Sequence, residues 1–199
     1  LFDPNLSTIG YFAPDTSYNL KTFSQIASFR KETVAQTLLY LISAMEDYQK
    51  SHPNYSGSGG SMNGKSMSEE DVETFISWPQ SVICSDGNGG SHPRGYGSFT
   101  KILHEYVFRK KIIPLETAIY KMTGLTASYF GIKNRGVLYP GNFADLVLFN
   151  PKLVKDNATI KDSHALSDGI EMVWVNGKLV YKNKKSVSNF SGELIRRGE

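Results

Sequence analysis

Cysteine is almost missing from this chain. Cys84 is the single one among 199 residues, which excludes an intrachain disulfide and a zinc site built from cysteines of this chain, and favours a reducing compartment such as the cytoplasm. Long apolar runs are missing too. None approaches the roughly 18 residues of a membrane span, and no signal peptide precedes Leu1, so no membrane partner is expected. Charge of one sign is not in excess: 22 basic residues stand against 19 acidic ones, interspersed along the chain, which leaves no footprint for nucleic acid. An initiating Met is also lacking, and the chain is expected to be cut or processed at its amino end. What is present is a hydrophobic content of 40%, enough at this length to bury one domain or two small ones.

The most informative stretch runs from Ser81 to Phe99. Ser81–Ser85 reads as a short buried strand in which Cys84 shares parity with Val82 and Asp86 and is a small buried side chain. Asp86 ends it, and Gly87, Gly89, Gly90, Pro93, Gly95 and Gly97 predict a loop that is neither helix nor ladder. A helix follows, with Ser98 or Thr100 as N-cap and Ile102, Leu103, Tyr106 and Val107 on its apolar face. The unit is strand, loop and helix with a carboxylate at the strand's carboxyl end, where parallel α/β folds gather their chemistry.

Around this stretch the chain reads in order. Residues 1–19, with Pro4, Gly10 and Pro14, predict short strand or loop pieces. Thr22–Arg30 places Phe23, Ile26 and Ala27 on one helical side, and Glu32–Tyr48 does the same with Val34, Leu38, Leu41, Ile42 and Met45. Ser51–Ser66, rich in Gly and Ser, predicts a mobile surface loop. Ser68 then caps a helix whose acidic first turn, Glu69-Glu70-Asp71, suits the helix dipole and whose Val72, Phe75 and Ile76 face inward. Pro114 opens another helix at its first turn, striped by Leu115, Ala118, Ile119 and Met122, and Gly124 interrupts it before a further turn or two. From Gly136 the pattern becomes β, with a strand over Ala144–Phe149 and a hairpin over Met172–Tyr181 turning at Asn176-Gly177.

The Gly/Ser loop contains Gly59-Gly-Ser-Met-Asn-Gly-Lys-Ser66, a match to the phosphate-binding pattern G-x-x-x-x-G-K-[ST]. Such a cradle needs a buried strand feeding straight into it, and the preceding Tyr48–Ser56 is polar and broken by Pro53. The pattern is therefore read as chance, with Lys65 exposed and its segment poorly ordered.

Ser85-Asp-Gly, then His92-Pro-Arg and Gly97-Ser-Phe, then Pro114-Leu-Glu-Thr-Ala and Lys121-Met-Thr-Gly, then Arg135-Gly and Gly141-Asn-Phe-Ala-Asp-Leu-Val form an ordered set. Pro14-Asp-Thr-Ser-Tyr and Met67-Ser-Glu-Glu-Asp-Val precede it in matching order. The set resembles the carboxyl-terminal part of the N-acyl-D-amino-acid deacylases, the D-aminoacylase-like members of the amidohydrolase superfamily. The resemblance implies an α/β fold: the last part of a (β/α)₈ TIM barrel, residues 1–138, with an inserted or lid-like segment over about 1–66, and the carboxyl-terminal half of a small β-sandwich over 139–199. It implies hydrolysis of an N-acyl-D-amino acid, a small-molecule substrate, by a zinc enzyme, since bound zinc lowers the pKa of water to about 7.

By position, Asp86 is the aspartate that the last barrel strand delivers, able to pass a proton from the water to the departing amine and, more weakly, to ligate the metal. From spacing alone Asp86 is equally a strand terminator in an Asx turn with Gly87. Arg94 would grip the substrate's α-carboxylate through its guanidinium fork, against the plainer reading of a surface arginine. His92 is a weaker substrate-binding candidate beside a structural hydrogen-bonding role. His52, His104 and His164 are read as ordinary. The departure from the family is the lack of His-x-His. The remaining zinc ligands are expected upstream of Leu1, in an amino-terminal remainder of the same enzyme that would be this chain's partner, and the chain alone is expected to bind no zinc and to be inactive. A ring-opening amidohydrolase of the dihydroorotase or hydantoinase type, or a non-catalytic binding module, is the alternative.

Overall fold

The computed structural model describes residues 3–57, 59–64, 67–87, 92–187 and 191–196. The chain divides into two compact units, Leu1–Ser68 with Gly89–His92, and Glu69–Asn88 with Pro93–Glu199.

The first unit holds strand β1 (Thr8–Phe12), helices α1 (Phe23–Arg30) and α2 (Val34–Ser51), and strand β2 (Gly60–Asn63). Both helices begin in capping boxes. Thr22 and Gln25 exchange side-chain to backbone hydrogen bonds at the start of α1, and Thr33 and Gln36 do so at α2, satisfying amide donors that a helix start leaves orphaned. The expected face of α1 is buried, with Ile26 fully enclosed beside Phe23 and Ala27. On α2 the expectation holds for Leu41 and fails for Ile42, which is 56% exposed, while Thr37 is buried in its place. The α2 run is apolar on more than one side, so periodicity alone does not decide which side turns inward. Ile9, Phe12, Tyr18, Phe23, Ile26 and Leu41 make this unit's core.

The expected loop over 51–66 is corrected at 60–63, while 52–57 carry no helix or strand. Gly60–Asn63 pairs antiparallel with β1, Ile9 opposite Met62 and Phe12 opposite Gly60. The ladder on β1 supplies hydrogen-bonding partners that outweigh the weak strand preference of Gly, Ser and Asn. The centre of the phosphate-cradle pattern is thus extended backbone in a ladder, a shape that cannot wrap a phosphate. Lys65 lies outside the described residues.

In the second unit, α3 (Glu69–Ser77), α4 (Arg94–Lys101), a π-helix (Ile102–Arg109), α5 (Leu115–Met122) and α6 (Gly124–Phe130) precede strands β3 (Leu146–Phe149), β4 (Ile170–Val175), β5 (Lys178–Lys182) and β6 (Lys185–Ser186). The four strands form one antiparallel sheet in sequence order. The hairpin between β4 and β5 turns at Asn176 and Gly177, both with positive φ, and pairs Val175 with Lys178, as an Asn-Gly turn requires. Ile76, Ile102, Leu103, Tyr106, Val107, Ile113, Ala118 and Val154 form the core. The expected inward faces of α3 and of the helix after α4 are largely present; Phe75, 53% exposed, is the exception.

Two expectations around Asp86 are corrected. Residues 81–87 carry neither helix nor ladder, because no strand among the described residues offers them hydrogen bonds. Without a ladder the side chains do not alternate, and Ile83 packs on the core while Cys84 is exposed. The helix after the glycines starts at Arg94, with Pro93 as N-cap in place of Ser98 or Thr100. Gly95 and Gly97 lie inside it. The close approach that needs glycine is at Gly87: a Cβ there would stand 2.7 Å from the Cα of Gly95, nearer than packed atoms come.

Candidate functional site

The site is assembled from the two ends of this stretch. Segment 81–87 leaves a turn at the end of α3, where the Ser81 N–H donates to the Trp78 carbonyl at 3.1 Å. It then crosses the core at Ile83. At its far end the Gly87 N–H donates to Oγ of Ser85 at 3.2 Å. That bond occupies the Gly87 N–H, which the expected Asx turn would have used. Asp86 itself has φ of +48°, a left-handed conformation that Asp tolerates better than most residues.

Arg94 is the first residue of α4. Its Nη1 lies 2.9 Å from Asp86 Oδ2, the side chains being 38% and 74% exposed. The approach of Gly87 to Gly95 brings the two backbones together, so this pair is built by the local fold and does not depend on one long side chain reaching out. A pair so open to water adds about 0–1 kcal/mol to stability. Chemically it sets a solvent-facing carboxylate able to accept a proton beside a planar guanidinium of the shape that recognises carboxylates. His92 is half-buried and belongs to the first unit.

Among the described residues no three His, Cys, Asp or Glu side chains come together as a metal site. His104 faces Asp156, with Nδ1 at 3.3 Å from Oδ1, and His52 lies against the Tyr48 carbonyl and ring. The described residues do not by themselves fit a zinc cage.

Sequence reading missed two further sets. Lys121, 1% exposed, donates to the Trp78 carbonyl and to Ser81, reaching its carbonyl at 3.2 Å and its Oγ at 2.7 Å. Burial pulls its pKa below the ordinary lysine value. Its signal was available: Lys121 falls three residues after Ala118 on the buried stripe. In the β part, Arg135 bonds Asp145 and, at 2.6 Å, Asn176 Oδ1, and its guanidinium lies 4.0 Å from the centre of the Phe143 ring. Asp145 Oδ1 also accepts the Asn176 N–H at 2.8 Å. The aspartate of Ala-Asp-Leu-Val thus braces the hairpin turn.

Residues 47–181 match the model of a family described as the amidohydrolase family. The chain is 40% identical over 136 residues to the N-acyl-D-aspartate deacylase of Alcaligenes xylosoxydans xylosoxydans, covering 67% of this chain and 27% of that protein. A Lactobacillus acidophilus dihydroorotase matches more weakly, 30% over 98 residues, 43% of this chain and 22% of that protein. The crystal structure of D-aminoacylase superposes with a TM-score of 0.77 at 30% identity, over 92% of this chain and 36% of that one. The N-acyl-D-glutamate deacylase of Bordetella bronchiseptica, complexed with zinc and a phosphonate inhibitor, gives 0.76 at 30% identity over the same shares. The chain therefore spans between about a quarter and a third of the length of its deacylase relatives. The match over most of its residues shows that the chain belongs to the amidohydrolase family.

Proposed function

We propose that the chain is the carboxyl-terminal portion of a zinc-dependent deacylase that hydrolyses N-acyl-D-amino acids to the free D-amino acid and a carboxylic acid. The observation that carries this reading is the Asp86–Arg94 pair at 2.9 Å, with a proton acceptor and a carboxylate fork side by side. The deacylase relatives support it, and act on substrates of that chemistry by name. In the proposed architecture residues 1–138 complete a (β/α)₈ barrel, about 1–66 being an inserted or lid-like segment, and 139–199 give the carboxyl-terminal strands of a β-sandwich. The remainder of the enzyme holds the zinc, and the whole works in the cytoplasm.

In this reading the substrate's α-carboxylate docks on the Arg94 guanidinium, whose planar fork suits a carboxylate. His92, two residues before Arg94, adds a polar contact to the substrate. Asp86 accepts a proton from the attacking water as its oxygen bonds to the amide carbon. It returns that proton to the nitrogen as the C–N bond breaks, so the amine leaves neutral. Asp86 ends the cycle as it began.

The test uses the whole enzyme. Asp86→Asn keeps size and removes the proton acceptor, so kcat should fall at least about a hundredfold while zinc content is kept. Arg94→Ala should act mainly on binding, raising KM for N-acyl-D-amino acids and costing about 2–5 kcal/mol if the contact is dry. Near-normal turnover of Asp86→Asn would leave Asp86 only a local backbone role, and loss of its zinc would make it a ligand. Preference for cyclic amides or imides, with no response to Arg94→Ala, would favour the dihydroorotase-type reading; no hydrolysis of either class would favour the binding module.

A further inference from the structure

Lys121 is an expensive residue to bury. The residue is 1% exposed, and the partners of its ammonium are the Trp78 carbonyl and the carbonyl and hydroxyl of Ser81, neutral groups that offset only part of the cost of taking a charge out of water. An apolar side chain would serve this core position between Ala118 and Met122 better. What the ammonium does is tie α5 to one short turn. That turn is held from other sides as well: Ser81 Oγ lies 2.6 Å from the Phe75 carbonyl and 3.0 Å from that of Trp78. It is also the origin of the segment that ends in Asp86. Between the two, among the described residues, there is no ladder. Ile83 on the core and the Gly87–Gly95 approach are the later fixed points.

We infer that Lys121 is a positioning residue for the reaction: by clamping the turn at Trp78–Ser81 it sets where the Asp86 carboxylate stands. The inference rests on the reading of Asp86 as proton acceptor. A misplacement of about 1 Å at a reacting group costs up to about a hundredfold in rate, so a residue with no contact to substrate can act on kcat through the course of five residues of backbone.

The experiment is a double-mutant cycle in the whole enzyme with an N-acyl-D-amino acid as substrate. Lys121→Met keeps length and removes the ammonium. It should lower kcat by about ten- to a hundredfold, with KM and zinc content little changed, at a temperature well below its Tm. In an Asp86→Asn background the same change should cost less than about twofold, because there is no proton acceptor left to misplace. Ser81→Ala keeps the two carbonyl acceptors and should give a smaller loss with the same non-additivity; it serves as the readout if Lys121→Met does not fold. Unchanged kcat with lowered Tm, or equal losses in both backgrounds, would show a purely structural lysine and overturn the inference alone. Near-normal turnover of Asp86→Asn would instead overturn the proton-acceptor reading, and this inference with it.

Discussion

Tyr106 shows how one proton couples the second unit to pH. Its ring is buried and its hydroxyl donates to Glu69 Oε1 at 3.0 Å. Burial first, and then the Glu69 carboxylate, push its pKa up to about 12 from an ordinary 10.0. A group whose folded pKa is raised contributes stability that is complete below the unfolded value and lost as pH rises through the folded one. The loss here should run between about pH 10 and 12. Lys110, bonded to Glu69 and, at 2.7 Å, to Glu73, also has a raised pKa and loses its charge in the alkaline range. Tyr106→Phe removes only the phenol's share: thermal unfolding should show a smaller drop in Tm between pH 9 and 11 than the parent. An unchanged drop would mean that the phenol ionises equally in both states.

At this scale the legible residues were those whose type is unusual for its place. Asp86 stands out in a run of glycines and Arg94 follows Pro93; both were named from sequence and are brought together. Lys121 and Asp145 were quoted within motifs without a role, because a polar residue on an apolar stripe declares only that something inside must satisfy it. Which carbonyl or turn does so depends on chain 40 residues away for Lys121 and 31 away for Asp145.

Among elements, helices with a clear face and the Asn-Gly hairpin were legible because their information is local. The Gly-rich stretches were not. Gly95 and Gly97 looked like loop and lie in α4, and the Gly/Ser segment looked mobile and holds β2; in both cases tertiary contacts override a weak local preference. Gly169 makes the same point with a measurable cost. It has φ of +75°, and a Cβ there would fall on the backbone N and Cα of Val154, while its carbonyl accepts the Asn150 N–H at 2.8 Å. Gly169→Ala combines left-handed strain with a backbone clash and should destabilise by at least about 2 kcal/mol. Urea denaturation followed by Trp fluorescence, with Trp174 reporting on the sheet, would measure it; a loss under about 0.5 kcal/mol would show that this backbone shifts freely.

For the whole molecule, the fold class was readable as mixed α/β, with helices first and an antiparallel sheet last, because the hydrophobic period changes from helical to alternating near Gly136. The pairing of β1 with β2, some 50 residues apart, has no such signal. The donor set leads to a direct expectation. The purified 199-residue chain, dialysed against zinc and then against buffer, should keep well under one equivalent of metal and release no amino acid from N-acyl-D-amino acids. Stoichiometric retained zinc would mean that the chain builds a cage from residues not described here.

The sheet carries one more consequence. Its two outer strands are guarded very differently. β6 is only two residues long and exposed, begins with Lys185 and follows Lys184, a short charged margin that discourages pairing with another molecule. β3 reads Leu-Val-Leu-Phe without a charge, with Val147 58% and Leu148 46% exposed, and among the described residues only β4 pairs with it. Asp145 stands just before β3 and is drawn away to Arg135 and the hairpin, so it is a poor gatekeeper. Expressed alone, the chain should therefore stick to itself along β3, and a lysine at Val147 should keep it in solution at concentrations where the parent precipitates.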